Sequence, residues 1–127
     1  MAHDVPTDEL QRRLREFASS RDWDQFHTPK NLAMALAGEI GELLELFQWL
    51  TPEESFQVGS DPLNQTRVAS ELADILIYSL RIADVLGIDL ADAVSAKIDL
   101  NETRYPIEQA RGSSRKYSDM NDDKVKT

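Results

Sequence analysis

The sequence predicts an all-α fold, a four-helix-bundle-like unit, and apolar residues on more than one face of the second and third helices of so short a chain add the expectation of a dimer-based oligomer. Three observations predict the helical fold. Apolar residues recur at helical spacing in four stretches, capping and stop residues punctuate the gaps, and no stretch alternates apolar and polar residues as a half-buried strand would.

The first helix is expected to start at Thr7, after Pro6, with Leu10, Leu14 and Phe17 on one side, and to fade near "SSRDW". Thr28 followed by Pro29 opens the second, a capping residue with proline at the first helical position, and Pro52 marks its stop. After the loop "SFQVGSDPLNQ" a third helix runs from about Thr66 to Leu86, where Gly87 supplies the C-terminal signal. Asp89 caps a fourth, in which Leu90, Val94 and Ile98 line up, and Pro106 ends it. This gives a single helical domain over residues 1–106. Residues 107–127 are polar and poor in large apolar side chains, which predicts a mobile C-terminal tail.

Length and charge narrow the function. A chain of 127 residues can bury one core and gains from self-association. No apolar run is long enough to span a membrane, and the opening residues lack the basic and apolar regions of an export signal, so a soluble, cytoplasmic protein is expected. With no cysteine, disulfides and thiolate metal sites are excluded. The net charge of −9 opposes binding of a nucleic acid polymer, and an anionic small ligand would need a cation as intermediary.

The most informative stretch is "ALAGEIGELLELFQWL", where Glu39, Glu42 and Glu45 recur at every third position of an apolar segment. Leu32, Leu36, Ile40, Leu43 and Phe47 share one arc of this helix. Glu39 lies at its edge and Glu42 beyond, among Ala35, Leu46 and Trp49; Glu45 turns toward solvent. The third helix repeats the pattern, with a core arc of Val68, Leu72, Ile75, Leu76, Ser79 and Ala83 beside a stripe of Glu71, Asp74 and Tyr78. If the stripes meet, four carboxylates converge, and these cannot all stay ionised near apolar surroundings without a counter-charge. A divalent cation, magnesium by preference for hard oxygen ligands, supplies one. Spacing alone leaves a solvated acidic face equally open.

"FHTPKNLAMALAGEIGELLELFQWLTPEE", followed by "ELADILIYSLRIADVLGIDLADAVSAKIDLNETRYP", resembles the MazG-type all-α nucleoside triphosphate pyrophosphohydrolases, nearest the small dCTP pyrophosphatase branch. The signature ExxE, spacer, ExxD is matched by Glu39, Glu42, Glu71 and Asp74, and the likeness covers about Arg21 to Tyr117. It implies magnesium-dependent hydrolysis, with manganese as a possible substitute, of a (deoxy)nucleoside triphosphate, dCTP or a modified dCTP, to the monophosphate and pyrophosphate. It also implies an obligate homo-oligomer, and a tetramer built as a dimer of dimers is expected. Residues matching Trp23, His27, Trp49, Tyr78 and Asn101 border the nucleoside in that branch.

These residue types suit the chemistry. Attack of water on the α-phosphorus needs neutralised oxygens and a base; any of the four carboxylates not fully engaged with metal can serve, Glu42 being favoured. Lys97, Asn101 and Arg104 share one stripe of the fourth helix, where the two cations either meet the triphosphate or snorkel at the surface. The basic tail segment "ARGSSRKY" is expected to fold over bound nucleotide with Tyr117 as anchor, or to remain a solvated linker. Among rivals, a di-iron bundle would need Glu-x-x-His pairs, and with His3 and His27 as its two histidines the chain has none. A non-enzymatic helical interaction module leaves the paired acids unexplained. A broad house-cleaning pyrophosphatase for non-canonical nucleotides is the nearest alternative, and a phosphoribosyl-ATP pyrophosphohydrolase is more distant.

Overall fold

A computed structural model of the chain describes residues 5–119, so His3 and the last residues of the expected tail, 120–127, lie outside the described residues. The elements run α1 (Thr7–Ser20), α2 (Pro29–Glu45), α3 (Pro52–Gln57), a 3₁₀ turn (Val58–Ser60), α4 (Pro62–Leu86), α5 (Leu90–Arg104) and α6 (Ile107–Ala110). No strand occurs among the described residues, so the all-α expectation holds. By contact the chain divides into two compact units, Met1–Asp89 and Leu90–Thr127.

Proline at N1 is a recurring device for starting a helix here. Thr28 caps α2 by accepting from the Asn31 amide at 3.1 Å, with Pro29 at the first helical position. Asp61 does the same for α4, accepting from the Leu63 amide at 3.1 Å ahead of Pro62. A proline there loses nothing, because the first-turn amides have no intrahelical acceptor. Pro52 plays the same part, which corrects its reading as a plain stop. Thr51 accepts from the Glu54 amide at 3.2 Å while Glu54 accepts from the Thr51 amide at 3.0 Å, a reciprocal capping box. The expected loop after Ser55 is therefore largely α3 and a 3₁₀ turn, and α4 begins at Pro62 rather than Thr66.

At the other ends, α2 closes at Glu45, well before Pro52. α4 closes where Gly87 takes φ 69°, letting the Ile88 amide reach back to the Ala83 carbonyl at 2.8 Å. At the start of α1, Pro6 occupies the cap position and Thr7 is already helical, so the expected Thr7 cap is not formed.

In the first unit α2 and α4 form the principal helix pair, and α1 packs on α4 as well. Ala18, Leu32, Leu80 and Ala83 are its buried apolar residues, joined by one buried charge, Arg81. The α4 core differs from the expected arc. Ala83 is inside as expected, but Leu72 and Leu76 are each 51% exposed while Leu80 and Arg81 are covered. α1 packs on α4 as well as α2 does: Leu10, Leu14 and Phe17 border a groove with Leu76, Ile77 and Leu80, which leaves Leu76 half open there, while the turn after α1 brings Asp24 and His27 onto Arg81. A helix's own periodicity does not encode which neighbour lands on which face.

In the second unit, α5 contains no buried residue and ends at Arg104. Pro106 occupies the cap position of α6, a helical turn inside the segment expected to be tail. Tyr117 folds back here: its amide donates to the Tyr105 hydroxyl at 3.2 Å and the two rings meet edge to face at 6.4 Å.

Candidate active site

The packing of α2 on α4 brings the two acidic stripes together. One carboxylate oxygen from each of Glu39, Glu42 and Glu71 lies within 4.8 Å of the others. Asp74 stands outside that trio but acts on Glu39 through its charge. Glu39 and Glu71 are half-buried and Glu42 is exposed, whereas Glu45 is exposed and outside the cluster, as its helix angle requires.

Two oxygens define the electrostatic problem. Glu39 Oε2 and Glu71 Oε2 are buried and have no hydrogen-bond partner. Ionised carboxylates only accept, so nothing between them can donate. A proton on Glu39 would bridge it to Glu71, and that prospective bond, with burial and then Glu42 and Asp74, pushes the Glu39 pKa from 4.5 to about 7. A buried acceptor without a donor is costly, and a divalent cation satisfies both oxygens at once. The donor set of three glutamates and a nearby aspartate is hard oxygen throughout, which suits magnesium or manganese.

Beside the acids lies a cavity of about 420 Å³, lined by Leu14, Phe17, Trp23, His27, Asp74, Ile77, Tyr78 and Arg81. Asp74 thus belongs both to the acidic cluster's field and to the cavity wall. The Trp23 ring meets Phe17 edge to face at 5.6 Å and lies 6.1 Å from the His27 ring. Asp22, at φ 55°, turns the chain after α1, and the Trp23 amide then bonds to the Ala18 carbonyl at 2.9 Å. Aspartate tolerates that left-handed backbone better than most side chains.

Of the expected nucleoside residues, Trp23, His27 and Tyr78 share this cavity, whereas Trp49 does not line it and is 87% exposed. Lys97, Asn101 and Arg104 are carried on α5 in the second unit. There the Arg104 guanidinium sits 5.4 Å from the centre of the Tyr117 ring, and Lys97 is exposed.

Arg81 and its carboxylate partners Asp24 and Asp84 were not foreseen from the sequence, whereas His27, its third partner, was. Arg81 donates through Nε to His27 Nδ1 at 3.1 Å, through one terminal nitrogen to Asp24 at 2.8 Å and through the other to Asp84 at 2.9 Å. Arg15 grips Asp84 from α1 with both Nε and a terminal nitrogen. Arg15, chiefly, holds the Asp84 carboxyl below its usual range, while burial and then the Arg81 charge lower the His27 pKa. A signal existed: the stripe Glu71, Asp74, Tyr78 continues one turn further to Arg81.

Comparison with known proteins follows the same lines. A model of the MazG-like family matches residues 35–120. The chain is similar to dCTP pyrophosphatase 1 of Homo sapiens, 50% identical over 116 residues that make up 91% of this chain and 68% of that protein. It is similar, at 32% identity over 87 residues, to a dATP/dGTP diphosphohydrolase of Cyanophage S-2L, with 68% of this chain and 73% of the relative covered. The crystal structure of a pyrophosphatase from Archaeoglobus fulgidus superposes with a TM-score of 0.74 at 43% identity, covering 84% of this chain and 97% of that one.

Proposed function

The chain belongs to the MazG-like family, and from that premise we propose that it is a magnesium-dependent pyrophosphohydrolase that cleaves a nucleoside triphosphate, preferentially dCTP or a modified dCTP, to the monophosphate and pyrophosphate. The observation that carries the reading is the pair of buried, unpartnered oxygens on Glu39 and Glu71, within reach of Glu42 and beside a cavity lined by Trp23 and Tyr78.

Glu39, Glu42, Glu71 and Asp74 would hold the metal. Bound there, a divalent cation neutralises phosphate oxygens and lowers the pKa of water. Glu42, the exposed member of the trio, is proposed as the base that takes the proton of the attacking water. As the new bond forms at the α-phosphorus, the bond to the bridging oxygen breaks and pyrophosphate leaves. Trp23 and Tyr78 offer ring faces to the nucleobase, and the apolar walls from Leu14, Phe17 and Ile77 exclude water from it. Lys97 and Arg104 are proposed to meet the phosphates and Asn101 the nucleoside.

Assembly belongs to this reading. Ile40 is 50% exposed, Phe56 85% and Trp49 87%, a set of apolar side chains that a homo-oligomer, proposed as a dimer of dimers, would cover and thereby bring Trp49 into use. Light scattering showing a monomer at micromolar concentration would refute it. No helix among the described residues is long and apolar enough to cross a membrane, and a cytoplasmic location, where triphosphates are made and consumed, completes the proposal.

The test is pyrophosphate release across canonical and modified triphosphates, with and without a chelator. The expected result is metal-dependent release, highest for dCTP or a modified form of it; absence of release from every triphosphate contradicts the function. The similarity to a dATP/dGTP diphosphohydrolase favours a second reading, a broader house-cleaning activity on non-canonical nucleotides. Comparable kcat/KM for purine and pyrimidine triphosphates would select it.

A further inference from the structure

Arg81 is the one buried charge among the described residues, with 8% of its side chain exposed. Its desolvation is offset by charge: Asp24 and Asp84 face it, and Arg15 balances the second carboxylate, so the group of four is electroneutral. Fixing a guanidinium by three nitrogens is more than charge balance needs. The third contact, Nε to His27 Nδ1 at 3.1 Å, adds no ion pair. It has a different consequence.

A guanidinium only donates, so the nitrogen it meets must be a bare acceptor. A neutral imidazole with Nδ1 bare carries its proton on Nε2. A second proton on the ring would have to displace Arg81, and burial together with the Arg81 charge disfavours it. The charged or titratable groups around the ring are Arg81 and Asp24, with Asp74 and Tyr78 on the same cavity wall. The one remaining polar atom of the imidazole is therefore a donor.

We propose that Arg81 is a specificity-determining positioning residue: by occupying Nδ1 it fixes His27 as the neutral Nε2–H tautomer, so that the cavity presents a hydrogen-bond donor there and selects a nucleobase with an acceptor at that edge. The selection rests on the cavity being the nucleobase pocket. Cytosine carries bare N3 and O2 acceptors side by side, whereas thymine and uracil carry a proton on N3. A donor facing N3 is satisfied by the first and opposed by the others, and a site built for one pattern rejects its inverse strongly. Arg81 borders the cavity, but its Nε and both terminal nitrogens are engaged by His27, Asp84 and Asp24, so it acts on the nucleobase through His27.

The experiment combines a spectroscopic and a kinetic reading on the full-length, magnesium-loaded chain. Long-range proton–nitrogen correlation of labelled imidazoles reports the tautomer, with a His27→Gln chain assigning the signal against His3. Wild type is expected to show Nδ1 as a bare nitrogen and Nε2 protonated at neutral pH. Arg81→Met should fold, because Asp84 keeps Arg15 and the Asp24 side chain is already 56% exposed; Arg81→Gln, which can donate or accept, is the second variant. Both should mix the tautomers. Both should also lower the dCTP-to-dTTP ratio of kcat/KM by about tenfold, through KM for dCTP with kcat nearly unchanged. Arg81→Lys, still an obligate donor, should retain much of the selectivity. A protonated or Nδ1–H imidazole in wild type overturns the proposal, as does an unchanged ratio in both variants. If no triphosphate is hydrolysed, the proposed function fails separately and the same ratio is read from binding of dCMP and dTMP; equal affinities, or no binding, then overturn this inference.

Discussion

Glu39 on α2 and Glu71 on α4 face each other across the helix interface, each with a buried oxygen that nothing donates to. Once Glu39 loses its proton, near pH 7, the metal-free fold carries repulsion between these two helices. Replacing Glu71 with Gln supplies a donor to Glu39, and replacing Glu42 with Gln or Asp74 with Asn removes a ligand charge while keeping shape. Each variant should lose activity by about a hundredfold or more, while Glu71→Gln should melt at or above the wild-type temperature in chelator. Near-normal turnover in both Glu42→Gln and Asp74→Asn would dismiss the site assignment.

The same pair sets a pH dependence with a definite sign. Glu39 keeps its proton to about pH 7 when folded, against 4.5 as the ordinary value. Between those limits Glu39 binds more protons folded than unfolded, so its contribution to stability falls as pH rises, while His27, whose pKa folding lowers, contributes in the opposite sense. Melting of the chelated His27→Gln chain, which removes that opposing contribution, should drop from pH 5 to pH 7.5 and level off beyond, and magnesium should flatten the slope by taking the proton's place. A chelated His27→Gln chain that gains stability over that range contradicts the geometry of the pair.

Asp84 works in the opposite direction. Its pKa is held below 3.8, first by Arg15, so its contribution is present above that value and is lost as pH falls through the folded pKa. Asp84→Asn should cost about 2 kcal/mol at pH 7, discounted because Arg15 is half exposed, and the difference from wild type should shrink in acid. Urea unfolding of both chains at pH 7 and pH 3 checks it; an equal difference at both would mean the ion pair contributes nothing.

Much of this was legible in the sequence, and the exceptions have physical causes. Helix type followed from spacing at 3.6 residues per turn, and the convergence of Glu39, Glu42 and Glu71 followed from two ExxE/D stripes on helices that pack. Pro52 misled because proline both ends one helix and begins the next; the Thr51 to Glu54 capping box decided between them. Leu80 and Arg81 were missed because α1 packs at Leu80 and the turn after it brings Asp24 and His27 onto Arg81, a tertiary choice no single helix records. Trp49 is the reverse case: it was read on the stripe of the second helix, but α2 closes at Glu45, and Trp49, beyond that end, is 87% exposed and outside the cavity.

The C-terminal segment gives a separable test. Tyr117 is tethered to Tyr105 and lies beneath the Arg104 guanidinium, and the Arg115 guanidinium bonds to the Asp119 carbonyl at 2.8 Å, so the basic segment is folded within its own unit. If it also closes over nucleotide, truncation after Gln109 should raise KM or lower kcat severalfold while oligomer size stays the same. Kinetic constants equal to those of the full chain would reduce the segment to a structural cap on α5.

Attack of water on the α-phosphorus at the four acids leaves an isotopic signature in the products. Hydrolysis of dCTP in ¹⁸O-labelled water with magnesium, followed by mass analysis of both products, should place one labelled oxygen in dCMP and none in pyrophosphate, and Asp74→Asn should form both products about a hundredfold or more slowly. Label in pyrophosphate, release of orthophosphate, or undiminished label transfer by Asp74→Asn would contradict the account.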